Sequence, residues 1–412
     1  MAIAKAAMVL VILVDVMGQG LAFPIFSVLI LSDSAGMLAE GTSAANRQAL
    51  YGLLVGVFFL FWFFGAIYVS RLSDSVGRKR GVLICLTGTL AGYLLAFIAI
   101  EMSSFWLLLL SRAITGFTAG NQPIAQAALV DLSRDDAEKA RNMGLVMLGA
   151  GIGLVAGPLI GGLFSSSAFA GLALTLPFLV GAALVAATML LVMVFFQETS
   201  TTRVPLSIHP SAIFTLLWQI TKRPVVLKVA VPYLFYMMCF ITFYVFFDNA
   251  LERWYGYGTT GQSAAMFALG VTLAVTSTPA LQRINALAPP RTLMVAFTLG
   301  ALGLIALFVA VQQPVVSFLC ITLMGVVHAY MYPAFLGLFS KATSAEDQGW
   351  VMGVAVALFT LASAIASFIG GLIGAADFPA LFGFGGVAAL VTLATIAWLW
   401  RREDVKAIVA DR

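Results

Sequence analysis

Residues 144–162 read GLVMLGAGIGLVAGPLIGG, without a charged side chain anywhere in the stretch. Glycine in a helix interior costs roughly 0.5–1 kcal/mol relative to alanine. The recurrence of Gly144, Gly153, Gly157, Gly161 and Gly162 around Pro158 therefore demands a packing reason. In lipid, small residues let helix backbones approach closely, and a proline is tolerated where neighbours re-satisfy the carbonyl it frees. The stretch reads as a membrane helix pressed against another helix.

Composition places the whole chain in the same solvent. It has 412 residues, 61% of them hydrophobic and 10% charged, with a mean hydropathy of +1.03. A soluble core cannot hide that much apolar surface. A span of the hydrocarbon layer needs about 20 apolar residues, and twelve such runs can be marked, near 6–31, 50–70, 81–100, 105–129, 143–164, 172–196, 228–247, 263–281, 292–311, 315–339, 350–374 and 380–400. The first run is too long for the apolar part of a signal peptide, and Asp15 and Pro24 interrupt it, so it reads as a retained helix. Cys85, Cys239 and Cys320 all fall within spans, which argues against a disulfide framework.

Charge sets the orientation. Of 22 Lys and Arg, 19 lie in the termini and the loops after even-numbered spans; Arg47 and Arg253 lie on the other side and Arg112 lies inside a span. This is the positive-inside pattern, and it implies cytoplasmic termini and an even number of spans in a bacterial inner membrane. No basic groove with interleaved aromatics suggests a nucleic-acid partner. Between spans six and seven, a polar connection carries Arg203, Pro205, His209, Pro210, Lys222, Arg223 and Pro224, while Ile213, Phe214, Leu216 and Leu217 can form a short interfacial helix. The expected organisation is an all-α integral membrane protein of 12 transmembrane helices: a six-helix bundle over 1–198, a linker over 199–227, a second six-helix bundle over 228–401 and a tail over 402–412. An offset of 209 residues carries Gly116 to Gly325, Gly144 to Gly353 and Gly161-Gly162 to Gly370-Gly371, which supports two related halves.

Four motifs carry a family resemblance. The spacing G-x8-G-x3-G-P-x2-G-G from Gly144 resembles the fifth-helix signature of major facilitator superfamily antiporters, and it makes Gly153, Gly157 and Pro158 candidates for conformational change. Ser70 to Arg80 resembles the family loop G-x-L-x-D-R-x-G-R-K/R-x, keeping Asp74, Gly77, Arg78 and Lys79, with Ser70 and Ser75 as departures. The resemblance implies that Asp74 latches against the start of helix eleven near Gly349, and that Arg78 pairs with an acid after span four, here Asp131. Span four contains Leu108-x-x-x-Arg112-x-x-Thr115-Gly116, resembling L-x-x-x-R-x-x-q-G. In span one, the pattern D-x-x-G-x-G-L-x-x-P from Asp15 to Pro24 resembles tetracycline–proton and related drug antiporters. The implied fold is the major facilitator fold, with a substrate site near the midplane between the halves.

Helical spacing sorts the side chains. At about 100° per residue, Arg112, Thr115, Ala119, Gln122 and Gln126 share one face of span four, with Asn121 opposite. Asp15 and Gln19 share a face of span one with Gly18, Ala22 and Phe26. From the 1.5 Å rise per residue, Asp15 and Arg112 differ by roughly 6 Å in depth, so Asp15 and Arg112 form the expected proton-coupling pair. In the second half, Tyr233, Tyr236, Met237, Phe240 and Tyr244 share a face of span seven, with Asp248 at its periplasmic end. Met324, His328, Met331 and Phe335 share a face of span ten. Together with Gln19, Gln122 and Gln126 they are the expected substrate contacts, suited to an amphipathic, aromatic or weakly charged organic molecule. His209 and His328 stand far apart, with no acidic partner at metal-ligand spacing and no phosphate-binding glycine loop. The expectation is no catalytic residues, metal or cofactor. The expected protein is a monomeric proton-driven exporter working with substrate, protons and lipid. An importer, symporter or uniporter is the alternative, and a non-transporting receptor or membrane enzyme is more distant.

Overall fold

The computed structural model describes residues 2–200, 212–276 and 281–401. Arg203, Pro205, His209, Pro210, the side chain of Ser70 and the tail 402–412, all read above, lie outside the described residues. Among those described there is no strand. The helices are α1 (Ala2–Leu31), α2 (Ala44–Val76), α3 (Arg78–Glu101), α4 (Phe105–Phe117), α5 (Asn121–Asp131), α6 (Asp136–Phe164), α7 (Leu176–Phe195), α8 (Ala212–Thr221), α9 (Pro224–Tyr255), α10 (Thr259–Val275), α11 (Leu281–Asn285), α12 (Pro290–Ala310), α13 (Pro314–Lys341), α14 (Gln348–Ala376) and α15 (Phe378–Leu399). Ten are long and apolar enough to cross a membrane. The shorter α10 and the consecutive pair α4–α5 occupy the other two expected spans, so the arrangement is consistent with twelve. Proline opens α7, α9, α12, α13 and α15, where its missing N–H has no intrahelical partner to lose.

Three boundaries differ from the sequence reading, each for a local reason. Span four is broken at residues 118–120, since Gly120 resists helix and Pro123 cannot donate to the carbonyl four residues back. The stretch from Ser70 is helical as far as Val76, and Gly77 alone turns the chain, at a φ of +102° that favours glycine. The seventh span continues to Tyr255, where Gly256 ends it in the left-handed conformation. Asp248 therefore lies inside α9 rather than at its end.

The chain forms two compact units. One comprises Met1–Thr42, Val57–Pro210 and Tyr257–Phe267; the other comprises Ser43–Gly56, Ser211–Gly256 and Ala268–Arg412. The start of α2 thus belongs with the second unit, where a Cβ on Gly52 would lie 2.6 Å from the Gly371 Cα of α14. The Tyr51 hydroxyl in the same turn donates to the Val245 carbonyl of α9 at 2.9 Å. The start of α10 belongs with the first unit, with Ser263 against Gly161 and Gly162 of α6.

The first unit is built around α1 and α6. A Cβ on Gly149 would lie 2.9 Å from the Val9 carbonyl oxygen, and one on Gly153 would lie 2.5 Å from that of Leu13. On Gly157 it would strike the Met17 carbonyl, and on Gly161 it would lie 3.1 Å from that of Leu21. Four glycines one turn apart thus face four carbonyls one turn apart on α1. Pro158 completes the fit, because a Cβ on Gly20 would lie 2.5 Å from its Cδ. Gly144 and Gly151 meet nothing within 4 Å, so they play no part in this approach. Gly153→Ala should overpack the interface and destabilise the protein by roughly 1–3 kcal/mol. Gly151→Ala should be neutral or stabilise by up to about 1 kcal/mol. Thermal unfolding of both variants in detergent checks the contrast, and equal effects would refute this packing.

Candidate functional site

The break in span four creates the polar centre of the first unit. Arg112, on α4, is 3% exposed. Its guanidinium carbon lies 4.1 Å from the centroid of Phe58 and 5.0 Å from that of Phe26, and its Nη1 lies 3.5 Å from Thr115 Oγ1. Ring faces attract a guanidinium by about 0.5–2 kcal/mol when water is excluded, so the two phenylalanines fix the orientation of this charge. Asp15, half-buried on α1, faces the start of α5, where the Gln122 backbone N–H and the Asn121 carboxamide are turned toward its carboxyl. The first N–H groups of a helix have no partner within it and carry the positive end of its dipole. Asp15 and Arg112 both lie within electrostatic reach of Tyr93 on α3, whose hydroxyl packs against Gly18 of α1.

Two expectations change here. Continuous helical phase put Asn121 on the opposite face, but the break resets that phase and brings it to Asp15. Gln126, expected beside Arg112, is instead exposed on α5, with its amide 3.5 Å from Met143 Sδ. Gln19 and Gln122 are half-buried.

The turn at Gly77 gathers a set of ionic contacts. Arg78 Nη1 lies 2.6 Å from Asp74 Oδ1, and its Nε lies 3.6 Å from Asp131 Oδ2. Glu198 is the residue that sequence reasoning missed. Its carboxylate accepts the backbone N–H of Arg78 at 2.7 Å and that of Lys79 at 3.2 Å, and so caps α3. A Cβ on Gly77 would collide with that carboxylate. The only sequence signal was an acid just after span six, which looked like an ordinary loop residue.

In the second unit the two stripes meet. Tyr233, Tyr236, Met237, Phe240 and Tyr244 on α9 are buried, as are Met324, Met331 and Phe335 on α13. His328 is half-buried. Its ring lies parallel to Phe240, with centroids 3.6 Å apart and planes inclined by 9°, and its Nδ1 is 3.2 Å from the Tyr236 hydroxyl. Tyr332 stacks beside it at 5.5 Å. Phe335 packs against Tyr233 at 5.3 Å and Tyr236 at 5.7 Å, so the foot of the stripe is a closed aromatic cluster. Elsewhere in this unit, Arg223 pairs with Asp347 at 2.8 Å and stacks over Trp350, whose indole N–H donates to Gln219 of α8. The short helix in the linker is thereby tied to the start of α14.

A buried arginine and an acid facing a helix break thus lie inside apolar spans, and comparison with known proteins identifies the family. The family model of the Major Facilitator Superfamily matches residues 8–349 and 257–412. The chain belongs to the Major Facilitator Superfamily. Class C tetracycline resistance protein of Escherichia coli is 25% identical over 85% of this chain and 84% of its own length. The class G protein of Vibrio anguillarum is 26% identical over 86% of each. The class B protein of Escherichia coli is 31% identical over 48% of this chain, and that match spans 45% of the relative's length. Among solved structures, the human organic anion transporter MFSD10 (TETRAN) superposes with a TM-score of 0.68 at 19% identity, covering 96% of this chain and 99% of that one. A D-xylose-proton symporter gives 0.73 at 13% identity, covering 96% and 97%. The fold is that of major facilitator transporters, and the protein is a multi-pass membrane protein of this superfamily.

The Gly77 turn yields a quantitative expectation. Glu198→Ala removes the cap of α3 and should cost about 0.5–2 kcal/mol. Gly77→Ala should cost more, since it adds a left-handed φ penalty to the clash with Glu198. Melting curves of the two single variants test this, and a Gly77→Ala protein as stable as the original would exclude it.

Proposed function

We propose that this transporter is a proton-coupled exporter of amphipathic small organic molecules. In this reading it works by alternating access in a bacterial inner membrane, with both termini in the cytoplasm. The observation that carries the proposal is Asp15 facing the broken span. A carboxylate inside the bilayer is costly and marks a pathway by default. Here the start of α5 offers it a backbone N–H and the positive end of a half-helix. Rotating α1 away from α5 would remove both, leaving the acid to take up a proton; restoring the contact would release it. Arg112 supplies a fixed positive charge for substrate, held between two rings rather than on a free stem. The similarity to tetracycline resistance proteins, over 85% of the chain for class C and 86% for class G, supports export and an amphipathic substrate. Asp74, Arg78 and Asp131 serve in this reading as the cytoplasmic gate.

Asp15→Asn keeps the shape and removes the titratable group. In everted vesicles carrying this variant, tetracycline and other amphipathic compounds should no longer elicit proton movement, while the protein inserts and melts as before. Coupling with unchanged stoichiometry would show Asp15 to be structural. Proton entry in the same direction as the compound would show symport instead.

A further inference from the structure

Asp248 stands one helical turn beyond Tyr244 and two beyond Phe240 on α9. It is completely buried, and among the described residues neither carboxyl oxygen has a hydrogen-bond partner. The next residue, Asn249, is also fully buried, with both carboxamide atoms unpartnered among the described residues. Unpaired polar groups at such depth are rare because desolvation is strongly unfavourable unless a partner compensates it. The neighbouring turns of the helix are engaged differently. Phe246 is packed by Tyr51, whose hydroxyl takes the Val245 carbonyl. On the Asp248 side, Phe240 and Tyr244 stack in parallel, with centroids 5.6 Å apart and planes inclined by 17°, and Phe240 continues onto His328. Tyr244 lies within electrostatic reach of Asp248.

We infer that Asp248, with the Tyr244 ring beside it, forms a subsite for the positively charged group of an organic cation. Aromatic faces attract a cation through the ring quadrupole, and a buried carboxylate gains its missing counter-charge. Asn249 adds an amide oxygen that can accept from an N–H of the same group. The inference rests on the exporter reading and names the part of the substrate that the second unit takes.

Two probes separate charge from shape: tetraphenylphosphonium, a permanent cation with aromatic faces, and neutral triphenylphosphine oxide. Their binding is measured on the full-length protein in detergent. Asp248→Asn should weaken tetraphenylphosphonium binding at least tenfold and change triphenylphosphine oxide binding less than twofold. Asp248→Glu should recover most of the cation affinity, and Tyr244→Leu should weaken the cation several-fold. Unchanged melting temperature and elution volume of the Asn variant exclude misfolding as the cause; should it misfold, the Glu and Leu variants decide. Equal loss of both probes, no loss of the cation, or no binding of the cation to the original protein overturns the subsite. Substrate-driven proton flux that persists alongside any of those results leaves the exporter reading standing. Asp248-dependent, charge-selective binding without flux for any compound overturns the exporter reading and keeps the cation site.

Discussion

The first unit depends on the close approach of α1 and α6. Their backbones come together because four glycines of one helix lie over four carbonyls of the other, and no side chain larger than hydrogen fits between them. Lipid tails are as apolar as leucine, so burial alone does not drive helix association in a bilayer, and packing at short range must. The same contact fixes the rotation of α1. With Val9, Leu13, Met17 and Leu21 committed to α6, Asp15 is left to face α3 and the broken span. One side of α1 thus packs against α6 while another presents its acid to α3 and the broken span.

The second constraint is the interruption of span four. An unbroken helix would carry Asn121 away from Asp15 and leave every backbone N–H engaged. Three residues of irregular chain release the first N–H groups of α5, and that of Gln122 is turned toward the acid. Non-helical backbone at membrane depth persists only where protein buries it. Here the broken segment is packed on α3, with Thr118 against Gly88, and Thr118 Oγ1 returns a hydrogen bond to the Ile114 carbonyl at 2.9 Å. Arg112, six residues before the break, is steadied by Phe26 and Phe58, whose ring faces hold its guanidinium.

The second unit solves a different problem. At the foot of its stripe, Tyr233, Tyr236, Phe335 and His328 stack on one another and the Tyr236 hydroxyl bonds His328, while the buried Tyr233 hydroxyl has no partner among the described residues. At the head, both carboxyl oxygens of Asp248 and both carboxamide atoms of Asn249 are without a partner among the described residues. Rings fill the space along the stripe, and the unpartnered charge-bearing group lies at its head.

Hydrophobic run length and the spacing of Gly153, Gly157, Pro158 and Gly161 by themselves determined a helical membrane protein with closely packed helices, since bilayer thickness and backbone approach act on local sequence. The stripes on α9 and α13 were legible for the same reason: each lies within one regular helix, where spacing of about 3.6 residues sets the face. Sequence misplaced what depends on where a helix stops. Asn121 and Gln126 were assigned with the phase of a continuous span, and Asp248 was set at the end of a helix that runs on to Tyr255. Glu198 escaped altogether, because it caps a helix 120 positions earlier in the chain. Those positions were decided only in three dimensions, where a carboxylate meets backbone N–H groups that no local pattern places beside it.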